Sequence, residues 1–124
     1  MAELCCADTP PGIPDEEVMV VQMHEVDVEQ FATGRRSDVA VVDVRSAEEF
    51  AAGHVPGAVN VPLERVVTDP GRYAGQELYV ICQSGGRSAK AAEALTAAGA
   101  RPVSVAGGTA GWISSGRPVD TGAR

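Results

Sequence analysis

Cys82-Gln83-Ser84-Gly85-Gly86-Arg87 follows the apolar run Leu78-Tyr79-Val80-Ile81 and precedes an alanine-rich segment from Ser88 to Ala98. That order predicts a strand ending on a cysteine, a Gly-rich turn and a helix start. Glycines let consecutive backbone N–H groups converge on one point, and the helix N-terminus adds partial positive charge. A thiol held there loses its proton more readily than free cysteine, whose pKa is about 8.5. Cys82 is therefore the candidate nucleophile, and the turn from Gln83 to Ser88 is its candidate anion cradle. The competing interpretation is an inert strand-end thiol, since free cysteine is among the most buried residue types. The Ser-Gly-Gly-Arg sequence that follows favours the reactive one.

The elements expected to position this turn alternate between strand and helix. Met19 to Val26 holds a short strand candidate, and Asp27-Val28-Glu29-Gln30 has the form of a capping box opening a helix that ends near Gly34. Val39-Ala40-Val41-Val42-Asp43-Val44 is a β-branched run typical of a strand buried on both faces. Ser46-Ala47-Glu48-Glu49 is a second capping box, and its short helix stops at Gly53. A brief strand at Ala58 to Val61, a helical turn at Leu63 to Val67 and a loop at Asp69-Pro70-Gly71 follow. After the Leu78 to Cys82 strand and the Ser88 to Ala98 helix come a last strand at Val103 to Val105 and a short helix from Thr109 to Ser114. This pattern predicts one α/β domain with a mostly parallel central sheet flanked by helices on both faces. In such sheets ligands sit beyond the carboxyl ends of the strands. Cys82 and the Asp43-Val44-Arg45 segment are thus expected on the same rim, with Asp43 and Arg45 supporting it.

The chain as a whole narrows the choice of partners. Its 124 residues suffice for one core. Residues 1–17, with Thr9-Pro10-Pro11-Gly12-Ile13-Pro14 and an acidic run, are expected to form an extended arm, and 18–124 the domain. A net charge of -7 argues against nucleic acid and anionic membrane surfaces. No stretch approaches the roughly 18 apolar residues of a membrane span. The first residues have neither the basic start nor the apolar core of a secretory signal. Three cysteines and two histidines show no metal or disulfide spacing, so free thiols, a cytoplasmic location and no metal or cofactor are expected. Cys5 and Cys6 are read as inert tail thiols, with a disulfide to Cys82 or receipt of its cargo as the sharper alternative.

Asp43-Val44-Arg45, Glu49, Gly53-His54-Val55-Pro56-Gly57-Ala58-Val59-Asn60, Cys82 to Ser88, Gly107-Gly108 and Gly111-Trp112 occur in order between Val26 and Pro118. Together they resemble the single-domain rhodaneses. The resemblance implies a sulfurtransferase that holds sulfur as a persulfide on Cys82, taken from thiosulfate or a persulfide donor. It passes that sulfur to cyanide or a thiol, or to a docked sulfur-relay protein in a low-turnover sensing or interaction module. A persulfide is anionic at neutral pH, and N–H groups from Gln83 to Arg87 would stabilise both it and the thiolate left after transfer. A thiol already ionised needs no general base. Four residues separate Cys82 from Arg87; cysteine phosphatases resemble this arrangement with one residue more, so the tighter loop suits sulfur over phosphate.

Side chains around the loop refine these expectations. Gln83 and Ser84 are neutral where thiosulfate-specialised relatives tend to be basic, which implies that thiosulfate is a poor donor. Arg87 is the only cation of the loop, and a cation at a helix N-terminus requires a compensating anion, either the persulfide or a carboxylate. Asp43 and Arg45 are read mainly as structural, for instance through an Arg45–Glu49 ion pair. His54 is expected to hold its turn by hydrogen bonds, Trp112 to be core or pocket wall, and Ser88 either to cap the helix or to donate to the anion.

Overall fold

The computed structural model describes residues 24–122. Five strands form one parallel sheet in the order β1-β5-β4-β2-β3: β1 His24–Val26, β2 Ala40–Asp43, β3 Val59–Asn60, β4 Glu77–Ile81 and β5 Arg101–Val105. The helices are α1 Val28–Gly34, α2 Ala47–Ala52, α3 Leu63–Thr68, α4 Gly86–Ala97 and α5 Gly108–Ser114. The expected arm at residues 1–17, the N-terminal part of the first strand candidate, and Cys5 and Cys6 lie outside the described residues. Among those described, no helix is long and apolar enough to cross a membrane.

Both predicted capping boxes form. Asp27 accepts from the Gln30 N–H at 2.8 Å while Gln30 Oε1 accepts from the Asp27 N–H at 2.9 Å. Ser46 and Glu49 repeat the exchange at the start of α2. Each such cap contributes on the order of 1 kcal/mol to a helix too short to persist alone. One difference is local: Asp69-Pro70-Gly71, expected as loop, opens a 3-10 turn over Pro70–Tyr73. Proline early in a helical turn loses nothing, because its missing N–H would have no partner there.

Two apolar clusters bracket the sheet. Phe31 of α1, Phe50 of α2 and Trp112 of α5 pack with Val41, Ile81 and Val105 on one face. Val66 of α3 and Ala91 and Leu95 of α4 pack with Val42, Leu78, Val80 and Cys82 on the other. The period-2 alternation of a strand divides β4 between them, with Tyr79 and Ile81 facing one way and Leu78, Val80 and Cys82 the other. Because every strand runs in one direction, the carboxyl ends of β2 and β4 meet at one rim, Asp43 in register with Ile81.

Candidate active site

Cys82 continues the alternation of β4 one residue past the strand end, and this turns its thiol toward the face where α4 begins. The thiol is buried. Gly85, at φ 120°, bends the chain over it and serves as the N-cap of α4. That positive φ favours glycine, and it aims the Gly85 N–H at Sγ, 3.0 Å away. The Ser88 hydroxyl lies 3.7 Å from Sγ, donates to the Gly85 carbonyl at 3.0 Å and meets the Ser104 hydroxyl at 2.9 Å. With the thiol protonated, the one Ser88 hydroxyl hydrogen goes to the Gly85 carbonyl, so Ser104 donates between the hydroxyls and the Cys82 thiol donates to Ser88 Oγ; once Cys82 ionises, the Ser88 hydroxyl turns its hydrogen to Sγ.

These contacts decide the ionisation of the thiol. Burial pushes the Cys82 thiol up, but hydrogen bonding from the Ser88 N–H and hydroxyl and from the Gly85 and Ser84 N–H groups outweighs it. The net result is a pKa below the ordinary cysteine value. Of the residues expected to form the cradle, Gly85 supplies the close N–H bond, while the Gln83 and Ser84 side chains are exposed.

The loop is also held from behind by α5. The Thr109 N–H donates to the Cys82 carbonyl at 2.8 Å and the Ala110 N–H to the Gln83 carbonyl at 3.0 Å. Gly108 makes this approach possible. A Cβ on it would lie 2.4 Å from the Cys82 carbonyl oxygen, and its φ is +56°.

Asp43 and Arg45 form a buried pair on the same rim, in place of the expected Arg45–Glu49 pair. Arg45 Nη2 reaches Asp43 Oδ2 at 2.8 Å and Nε reaches Oδ1 at 2.9 Å. Its remaining donors go to the Gly53 carbonyl at 2.8 Å and to Gln83 Oε1 at 3.2 Å. Asn60 Nδ2 closes the segment by donating to the Asp43 and Arg45 carbonyls. The pair is thus a brace between the β2 turn and the Cys82 loop, with only 3% of Arg45 exposed.

The carboxylate that offsets Arg87 belongs to Glu49. Arg87 Nη1 and Nη2 donate to Glu49 Oε1 and Oε2 at 2.8 and 2.9 Å. The two-fold hydrogen bond from Arg87 and the Ser46 N–H bring the Glu49 carboxyl down to about 2. His54 behaves as expected: it stacks on Phe50, its Nδ1 lies 2.8 Å from the Phe50 carbonyl, and its backbone pairs with Asp120. Trp112 lies in the core beside Phe31, with Nε1 donating to the Pro118 carbonyl. Sequence reasoning did not single out Ser104. The available signal was a serine set between two valines at an inward position of β5.

This combination of an α/β sheet, a thiol at the β4 carboxyl end and a four-residue turn into α4 agrees with the sequence match to the Rhodanese-like domain family model over residues 27–115. The chain belongs to the rhodanese-like domain family. The rhodanese-like chain is 37% identical over 117 residues to Thiosulfate sulfurtransferase 18 of Arabidopsis thaliana, covering 81% of this chain and 85% of that protein. It is 35% identical over 82 residues to the Putative sulfur carrier protein YrkF of Bacillus subtilis, covering 64% and 44%. Among solved structures, a rhodanese-related protein from Thermoplasma volcanium superposes with a TM-score of 0.71 at 28% identity, covering 78% of this chain and 97% of that one.

Proposed function

We propose that this rhodanese-like protein is a sulfurtransferase that carries sulfane sulfur as a persulfide on Cys82. The observation that carries the reading is the placement of Cys82 Sγ at the mouth of α4, 3.0 Å from the Gly85 N–H and 3.7 Å from the Ser88 hydroxyl, a setting that lowers the thiol pKa. The Cys82 thiolate attacks the outer sulfur of a donor such as thiosulfate or an organic persulfide. An S–S bond forms to Cys82 as the donor S–S bond breaks, and its electron pair leaves on sulfite or on a thiolate. In the second half-reaction cyanide or an acceptor thiolate attacks the terminal sulfur, and the pair returns to Cys82 Sγ. The loop N–H groups serve both halves because the anion they face is a thiolate in one and a persulfide in the other. Asp43 and Arg45 support the site by bracing Gln83, and no proton transfer is assigned to them.

Intact mass spectrometry of the isolated protein, before and after donor and then cyanide, tests this reading. One added sulfur, mapped to Cys82, removed by cyanide and absent in Cys82→Ser, is expected. A protein that gains no sulfur on Cys82 from any donor refutes it.

A sulfur-relay module that hands its cargo to a docked protein is the second reading. It is favoured by the burial of Cys82 and by the engagement of Arg87 with Glu49, which together leave little to capture a small dianion. Thiocyanate formation under steady-state turnover separates the two: a persulfide that forms but turns over slowly with free acceptors supports the relay. Partners on this reading are small sulfur donors, thiol acceptors or a relay protein, in a cytoplasmic setting.

A further inference from the structure

Arg87 is the only cation in the turn that surrounds Cys82, and both of its terminal nitrogens are bound by one carboxylate. Glu49 is held for that role from its own side. Its Oε1 accepts from the Ser46 N–H at 3.0 Å and lies 3.2 Å from the Ser46 hydroxyl, so the capping box of α2 fixes the carboxylate that faces Arg87. The two side chains are 38% and 37% exposed, so the pair sits at the surface beside the Cys82 loop. Beside it lies a cleft of about 370 Å³ whose walls combine the apolar Val44, Pro62, Leu63 and Val67 with the charged Arg45, Glu64 and Arg87. The surroundings of the loop therefore combine a neutralised cation with apolar walls.

We infer that Glu49 is a positioning residue that sets the donor preference of the site: by occupying Arg87 it disfavours the thiosulfate dianion and leaves the cleft to organic persulfides. The inference rests on the sulfurtransferase reading and deepens it. Thiosulfate would need a cation for the sulfonate end that departs as sulfite, and the two cations at the cleft, Arg87 and Arg45, already have their charges matched by Glu49 and Asp43. An organic persulfide leaves as a thiolate on carbon, and its carbon chain suits the Val44, Pro62, Leu63 and Val67 walls. Both donors undergo the same exchange at Cys82, with the donor S–S bond breaking and its electron pair leaving on sulfite or on the alkyl thiolate.

Glu49→Gln is the informative variant. The amide keeps an acceptor oxygen for the Ser46 N–H and for Arg87, so the cap survives while the negative charge is removed. Loading of Cys82 is read as the mass gain of one sulfur, over a range of concentrations of thiosulfate and of 2-hydroxyethyl persulfide. The expected result is a half-saturating thiosulfate concentration lowered by about tenfold at low salt, an effect that shrinks as salt screens the exposed charges. The maximal loading rate and the half-saturating concentration for the alkyl persulfide, a single anion whose charge sits on the sulfur that the loop N–H groups receive and not on a sulfonate end, stay within about twofold, within the scatter of ordinary surface substitutions. Glu49→Gln/Arg87→Gln should lose the thiosulfate gain, because the gain acts through the freed guanidinium. A purely structural role for Glu49 would move both donors together. Glu49→Ala, which gives up the cap as well, provides the same donor ratio should the amide variant fold poorly. Loading of the wild type by either donor with an unchanged ratio in the variants overturns this inference alone. Loading by neither donor overturns the sulfurtransferase reading and this inference with it.

Discussion

Substituting Gly108 by alanine should break the link between α5 and the nucleophile, and its size follows from the geometry. The left-handed φ of +56° costs an alanine about 1 to 2 kcal/mol. The added Cβ would also lie 2.4 Å from the Cys82 carbonyl oxygen and 2.7 Å from the Gln83 carbonyl, both backbone atoms without rotamers to yield. Relief requires α5 to withdraw, and the Thr109 and Ala110 N–H bonds to those carbonyls then lengthen or break. At about 1 kcal/mol for each bond, the total loss is about 3 to 4 kcal/mol. Gly107 is the internal control. Its φ of +85° carries a similar backbone cost, but the nearest atom to an added Cβ is a Val28 methyl at 3.5 Å, so Gly107→Ala should lose about 1 kcal/mol. Urea unfolding followed by the fluorescence of Trp112, the single tryptophan and itself on α5, measures both. The pH dependence of Cys82 alkylation by iodoacetamide measures the second consequence, since a loop released from α5 misaims its N–H groups and lets the thiol rise toward its ordinary pKa. Two results would refute the reasoning: a Gly108→Ala loss no larger than that of Gly107→Ala, or a large loss with an unmoved alkylation profile.

Two further outcomes are expected. Asp43→Ala leaves the Arg45 guanidinium buried without its counter-charge and should destabilise the fold by about 3 to 5 kcal/mol in urea, while the apolar pair Asp43→Leu/Arg45→Met should recover much of that loss. Ser88→Ala removes the hydroxyl donor to the thiolate, so the alkylation midpoint of Cys82 should move up in pH, toward about 8.5; reactivity lost below that value and kept above it is the expected sign, and an unchanged midpoint would remove Ser88 from the ionisation.

What could be read in the sequence depended on whether the interaction lay along the chain or across it. Both capping boxes, the strand-to-turn passage at Cys82 and the end of α2 at Gly53 are local, and each formed as the residues implied. The common rim was also legible, because alternating strands and helices impose parallel pairing and so place Asp43 and Cys82 at one end of the sheet. Partner choice among the charges was not. Spacing alone offers Arg45 and Glu49, four residues apart, as a pair, yet β2 ends at Asp43 and Ser46 caps α2, which is oriented so that Glu49 meets Arg87, 38 residues away. Arg45, left on the buried side, has its charge matched there by the Asp43 carboxylate two residues back. The strand ends were obscured for a similar reason. Pro102 is a poor strand residue by propensity, but its register with Leu78 of β4 extends β5 back to Arg101.

The same distinction separates the reaction from its substrate. Lowering the pKa of Cys82 needs only neighbours in the chain, Ser84, Gly85 and Ser88, and these are legible as a motif. On the proposed reading, donor choice turns on whether Arg87 is free, and Arg87 is engaged by a residue of another helix held by its own cap. On that proposal the loop would keep its nucleophile unchanged while a single substitution at position 49 altered which sulfur donor it accepts. A Glu49→Gln chain that loads Cys82 at the wild-type maximal rate but at lower thiosulfate concentration would show these two functions to be separable in one small domain.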